Sequence, residues 1–240
     1  MGGWRTGLTA VLAAAALLAG TIAGTIGGPI AAAQTPQEVR RAEQAILAIG
    51  AEEWLVTPSV ELVARVVEAS SAAALRQAAL AGNAEAQALM GSAHENGVAG
   101  FSEDQVAAAD FYGLAAEDGN VLAQYNLGGM YLDGRGVPQN FERALYWRER
   151  AAEQGDRMAM SILGYQYLAG FGVEQDIPLA RGYLEQASAL GDAAAMGLMG
   201  LIFEDGIGTA PNLQRAVTYY REAASLGDPF AQEALRRLGK

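Results

Sequence analysis

Five glycines, at 82, 119, 155, 191 and 227, stand 37, 36, 36 and 36 residues apart, and each is followed at once by Asn83, Asn120, Asp156, Asp192 or Asp228. A fixed period of this length marks a repeat architecture. Glycine ends a helix in the left-handed conformation without a Cβ penalty, and the side-chain oxygen after it caps the next helix. One dipeptide therefore closes one helix and opens another.

Counting slots from each glycine, slot 4 holds Ala86, Ala123, Ala159, Ala195 and Ala231, and slot 8 holds Met90, Leu127, Leu163, Met199 and Leu235. Slot 12 holds His94, Tyr131, Tyr167 and Phe203. Slots 4, 8 and 12 share one face of a first helix, and Gly91, Gly128, Gly164 and Gly200 at slot 9 leave room for a partner backbone to come close. The second helix is predicted to start at Asn140, Asp176 and Asn212, and at Asp104 in the first copy, which carries a one-residue insertion. Ala108, Ala144, Ala180 and Ala216, then Phe111, Trp147, Tyr183 and Tyr219, supply its buried face. A unit of two antiparallel helices cannot bury both by itself, so neighbouring copies must stack. The fold class is all-α, an α/α solenoid. In the last copy slot 9 is Arg236, and Arg237 and Lys240 follow, as suits an end that no further helix covers.

The stretch Asp133-Gly134-Arg135-Gly136-Val137 looks like a glycine-rich phosphate cradle. It recurs as Gly170-Phe171-Gly172-Val173 and Gly206-Ile207-Gly208-Thr209, and loosely as Gly97-Val98-Ala99-Gly100. A phosphate loop is needed once, with a lysine or a strand before it; a turn repeated four times between helices is a bend.

Arg5, an uncharged apolar run from Leu8 to Ile26, the Gly27-Gly28-Pro29 break and Ala31-Ala32-Ala33 read as an export signal cleaved after Ala33. The alternative is an uncleaved membrane anchor, and in that case alone does the chain touch a membrane. Either way the expected location is periplasmic or secreted. The chain has no cysteine, so no disulfide, zinc thiolate or cysteine nucleophile is available, and packing alone must stabilise it. A net charge of −11 repels a phosphate backbone, which argues against nucleic acid.

The order Ala-x-x-x-Leu-Gly-x-x-Tyr, then Gly-x-Gly-Val, then Ala-x-x-Trp, then Ala-Ala-x-x-Gly, as it runs from Ala123 to Gly155, resembles the Sel1-like repeat, a relative of the tetratricopeptide repeat. The resemblance divides the chain into a signal peptide (1–33), N-terminal capping helices with a degenerate repeat (34–81), four repeats (82–118, 119–154, 155–190, 191–226) and a C-terminal capping helix (227–240). Within the N-terminal part, residues 34–36 read as a flexible lead and 37–56 as a capping helix. Residues 60–81 read as one helix, with Ala74 in the aromatic slot. The resemblance implies a monomeric scaffold for protein–protein contacts, an adaptor or regulator of the cell envelope that binds a protein or peptide partner. It offers as an alternative a hydrolase of cell-wall or β-lactam compounds, although the relatives described in that way are cysteine-rich.

Chemistry is sparse. No Ser-x-x-Lys or Gly-x-Ser-x-Gly occurs, and no catalytic, cofactor or metal residue is assigned. His94, the sole histidine, sits in the aromatic stripe and reads as a packed core side chain. Glu95, Glu204 and His94 are the groups that the hydrolase alternative would require. By resemblance to tetratricopeptide-like solenoids, slots 3, 6, 10 and 13 of the first helices line a concave groove. The candidate partner-binding residues there are Leu122, Tyr125, Leu132, Met158, Tyr165, Leu168, Leu201 and Glu204. Such a stripe either holds a peptide or is buried by adjacent repeats, and the sequence leaves both readings open.

Overall fold

The computed structural model describes residues 35–49 and 59–240. The expected export signal lies outside them. Twelve helices and no strand occur among the described residues. We number them α1 (Pro36–Leu47), α2 (Ser59–Ala69), α3 (Ala72–Leu80), α4 (Ala84–Asn96), α5 (Gln105–Glu117), α6 (Val121–Asp133), α7 (Phe141–Glu153), α8 (Arg157–Ala169), α9 (Ile177–Ala189), α10 (Ala193–Asp205), α11 (Leu213–Ser225) and α12 (Pro229–Arg237). The all-α helical-repeat class follows as expected. None of these helices is long and apolar enough to cross a membrane.

The caps follow the sequence pattern. Asn83, Asp156, Asp192 and Asp228 each accept the N–H three residues on, as Asn120 does from Ala123. Asp104, Asn140, Asp176 and Asn212 do the same for the second helices. All five spacing glycines have φ between 81° and 93°. In every copy the cap's own N–H then donates to the slot-12 carbonyl: Asp104 to His94, Asn140 to Tyr131, Asp176 to Tyr167 and Asn212 to Phe203, at 2.6 to 3.0 Å. The bend is thereby tied to the helix before it.

The chain forms two compact units, one running to Ala123 with residues 135–137, the other comprising 124–134 and 138–240. In the first, α4 and α5 pair closely beside α1, α2 and α3. Its core gathers Ile46, Leu62, Val63, Val66, Leu75, Leu89, Met90 and Phe111. In the second, α8 packs on α9 and α10 on α11, and α12 closes against α11. A Cβ on Gly164 or Gly200 would fall 2.5 Å from Leu184 or Tyr220, and one on Gly128 2.8 Å from Arg148. Only glycine permits this approach, which is the reason for slot 9.

Two N-terminal expectations are corrected. Residues 60–81 are two helices, because Ser70 turns its hydroxyl back to the Val66 carbonyl while Ser71 adopts extended backbone and caps Ala74. Thr35 and Pro36 are no flexible lead: Thr35 and Glu38 form a capping box and Pro36 opens α1. That helix ends at Leu47, and residues 50–56 of the expected capping helix lie outside the described residues.

Candidate functional site

The glycine-rich bends hold no cradle. Gly97, Gly134, Gly170 and Gly206 are left-handed helix ends, with φ of 62° to 71°. The second glycine of each later bend presses on the start of the preceding copy's second helix. A Cβ on Gly136 would collide with the Gln105 carbonyl, and one on Gly172 or Gly208 would fall 2.6 Å from Phe141 or 2.5 Å from Ile177. These loops stack copies.

His94 is 3% exposed and stacks on Phe111, centroids 5.9 Å apart, with Phe101 edge-on at 5.4 Å. Its Nδ1 lies 3.1 Å from the Ser102 carbonyl, and burial holds the imidazole below its ordinary pKa. Tyr167 stacks on Tyr183 and Phe203 on Tyr219 in the same way. Histidine here does what tyrosine and phenylalanine do elsewhere in the chain.

Glu95 and Glu204, both at slot 13, are also engaged. The Tyr112 hydroxyl donates to Glu95 at 2.8 Å, and Arg135 pairs with the other oxygen at 2.6 Å. The Tyr220 hydroxyl donates to Glu204 at 2.8 Å, and Arg237 pairs with it at 2.7 Å. Desolvation, then the neighbouring carboxylate, pushes both phenols well above the ordinary tyrosine range. These groups brace the fold, and each unit holds one such brace. Among the described residues no group of three His, Cys, Asp or Glu side chains is placed to hold a metal.

The candidate groove residues divide by exposure. On α8, Met158 is 39% and Tyr165 49% exposed, at slots 3 and 10, two turns apart on one face. The same helix otherwise buries Ala159, Met160, Ser161, Leu163, Gly164, Gln166, Tyr167 and Leu168. Leu168 thus offers little surface to a partner. Tyr125, Leu132, Leu201 and Glu204 in the second unit, and Leu122 in the first, are half-buried. Slot 6 of the later copies, Ser161 and Gly197, is buried. Slots 3 and 10 of α8 are the open part of the face.

Sequence reading missed a polar pair in this unit. Arg148 on α7 is 4% exposed, and its Nη1 donates to Gln166 Oε1 at 3.0 Å. Its Nε is buried with no partner. Desolvation lowers its pKa, opposed by the neighbouring Tyr125 and Asp133. Gln166 is 1% exposed, and its amide donates to the Phe171 carbonyl at 3.3 Å. The signal was available in the slots: position 11 reads Ala93, Met130, Gln166, Ile202, and the residue packed on slot 9 reads Tyr112, Arg148, Leu184, Tyr220.

The repeat length, the two capped helices and the glycine contacts recur through the central and C-terminal chain, and the model for the Sel1 repeat matches residues 84–120, 121–156, 157–192 and 193–228. The chain belongs to the Sel1 repeat family. It is similar to a Sel1 repeat protein from Oxalobacter formigenes, at 32% identity over 75% of this chain and 76% of that one, with a TM-score of 0.67. A protective antigen of uropathogenic Escherichia coli strains, which displays an SLR fold, is 28% identical with a TM-score of 0.67. That match covers 98% of this chain and half of the longer antigen. A Sel1 repeat protein from Klebsiella pneumoniae, 21% identical over 85% of this chain and 99% of that one with a TM-score of 0.50, shares the fold. No curated protein matches the chain significantly. Sel1 repeats are in general scaffolds for protein–protein interaction.

Proposed function

We propose that this chain is an exported Sel1-repeat adaptor or regulator of the cell envelope that holds a protein or peptide partner on the first-helix face of its second unit. The observation that carries the reading is the exposure of Met158 and Tyr165 on one face of α8, whose Met160, Leu163, Tyr167 and Leu168 are buried. Large apolar side chains left open together are where partners dock, and tyrosine and methionine suit such a surface. Export rests on Arg5, the apolar run and Ala31-Ala32-Ala33. It places the adaptor in the periplasm or outside the cell.

The test is affinity capture from an envelope extract, with the chain from Gln34 as bait and Tyr125→Ala/Tyr165→Ala as control. A protein retained by the wild type and lost by the variant is expected. Tyr165 is exposed and Tyr125 half-buried, outside the fully buried core, hence the variant keeps its helical circular dichroism. Equal retention by both baits would remove the face from the account.

A further inference from the structure

The chain holds seven methionines and no cysteine, so its oxidisable sulfur is all thioether. Among the described residues Met90, Met130, Met160 and Met199 are buried and Met196 is half-buried. Met158, 39% exposed, is the one methionine of this group that stands open. An oxidant in solution therefore meets its sulfur before the others.

Met158 takes slot 3 of α8, where Glu85, Leu122, Ala194 and Phe230 stand in the other copies. Nothing in the repeat calls for sulfur there. Leu122 shows that an apolar side chain of similar volume serves the slot, and leucine and methionine exchange with little effect on packing. What the thioether adds is chemistry. The start of the helix that carries it is fixed, because Arg157 Nη1 donates to the Leu190 and Gly191 carbonyls at 3.4 Å. Met160, two residues on, is buried, so one turn of helix sets an open thioether beside a shielded one. A sulfoxide is polar and accepts hydrogen bonds. On the free chain water satisfies it and the fold is undisturbed, whereas beneath an apolar partner it is desolvated without compensation.

Resting on the docking face proposed above, we infer that Met158 is a modification site, whose conversion to the sulfoxide by a hydroperoxide makes that face release its partner. The sulfur lone pair takes the outer oxygen of the hydroperoxide and the O–O bond breaks. The departing oxygen leaves with the proton of the transferred one, as water or an alcohol. Sulfur gives up two electrons and the peroxide takes them. A methionine sulfoxide reductase reverses the step: two thiols become a disulfide and the oxygen leaves as water. The buried thioethers keep the fold out of the reaction, so oxidation acts on binding and leaves stability alone.

The test treats the folded full chain with hydrogen peroxide and follows the gain of one oxygen at each methionine by peptide mass mapping. Met158 is expected to react first, Met196 later, and Met90, Met130, Met160 and Met199 last, with the differences gone in urea. Sulfur-free peptides selected on the unoxidised chain from a displayed random library then serve as the probe, their binding measured by calorimetry. Oxidation limited to Met158 should weaken them at least about tenfold with Tm unchanged, and the reductase with a thiol should restore mass and affinity together. Met158→Leu, which copies Leu122, should bind as the unoxidised wild type does and ignore peroxide. Met158→Gln, polar from the outset, should bind weakly without it. Oxygen entering Met196 or a buried methionine before Met158 would overturn the inference. So would full affinity with Met158 oxidised, or a peroxide effect that survives Met158→Leu. Peptides indifferent to Tyr125→Ala/Tyr165→Ala, or a library that yields none, would instead remove the docking face, and the release with it, whatever the order of oxidation.

Discussion

Histidine at slot 12 shows how much one residue's surroundings decide. His94 fills a place that takes Tyr131, Tyr167 and Phe203 in the other copies, and its stacking on Phe111 repeats the geometry of Tyr167 and Phe203. The reading of a packed side chain was legible from that register alone. Its titration follows from the packing: burial disfavours the imidazolium, so the folded chain binds the proton more weakly than the unfolded chain does. Stability is therefore lost as pH falls below about 6.5 toward the lowered value. The nearby charges of Arg76 and Asp104 act on it in opposite directions. His94→Phe, which copies Phe203 of the fourth copy, removes this contribution while sacrificing the Ser102 contact at every pH. Thermal unfolding from about pH 7 to pH 5 should show the wild type losing more Tm than the variant. Parallel curves would mean that His94 binds its proton equally in the folded and unfolded chain. Arg148 was less legible at this scale. Its slot can be read as unusual in the sequence, but whether a carboxylate from another helix meets it is a question only coordinates answer.

At the scale of the helix, glycine has two unlike uses in this chain. Gly200 carries no side chain because the ring of Tyr220 occupies the space, and that ring cannot give way while its hydroxyl is held by Glu204. Gly200→Ala should cost about 1–3 kcal/mol. Gly182 lies inside α9 with nothing within 4 Å of a Cβ, so Gly182→Ala should stabilise by about 0.5–1 kcal/mol through the lower entropy of its unfolded state. Urea midpoints of the two variants should move in opposite directions, and a Gly200→Ala midpoint no lower than the wild type's would show that slot 9 is not a packing constraint. Helix starts in the repeats were legible because a cap is a local event, one side-chain oxygen and one N–H three residues on. The break at Ser70-Ser71 was not. Its apolar pattern continues on both sides, and serine becomes a stop only when its hydroxyl turns to the backbone, as at Val66 and Ala74. The Thr35-x-x-Glu38 capping box was written in the sequence and overlooked beside Gln34 and Pro36.

For the molecule as a whole, period and capping establish a repeat array, and the family match places four Sel1 repeats in it. Which face of the array works is a different kind of information. A slot number gives direction on a helix, whereas exposure depends on what the neighbouring copy sets against it; hence Tyr165 stands open while Leu168, expected on the same face, is buried. The proposed docking face thus narrows to α8 and its neighbours in the second unit. The most direct measurement is hydroxyl-radical footprinting of the chain with and without the partner obtained by capture. Met158 and Tyr165 should lose labelling on binding, while Tyr146 on α7 and Phe171 in the following bend, both exposed, keep theirs. Protection at Tyr146 and Phe171 with Met158 and Tyr165 unchanged would contradict the account and put the working surface on the second helices and bends.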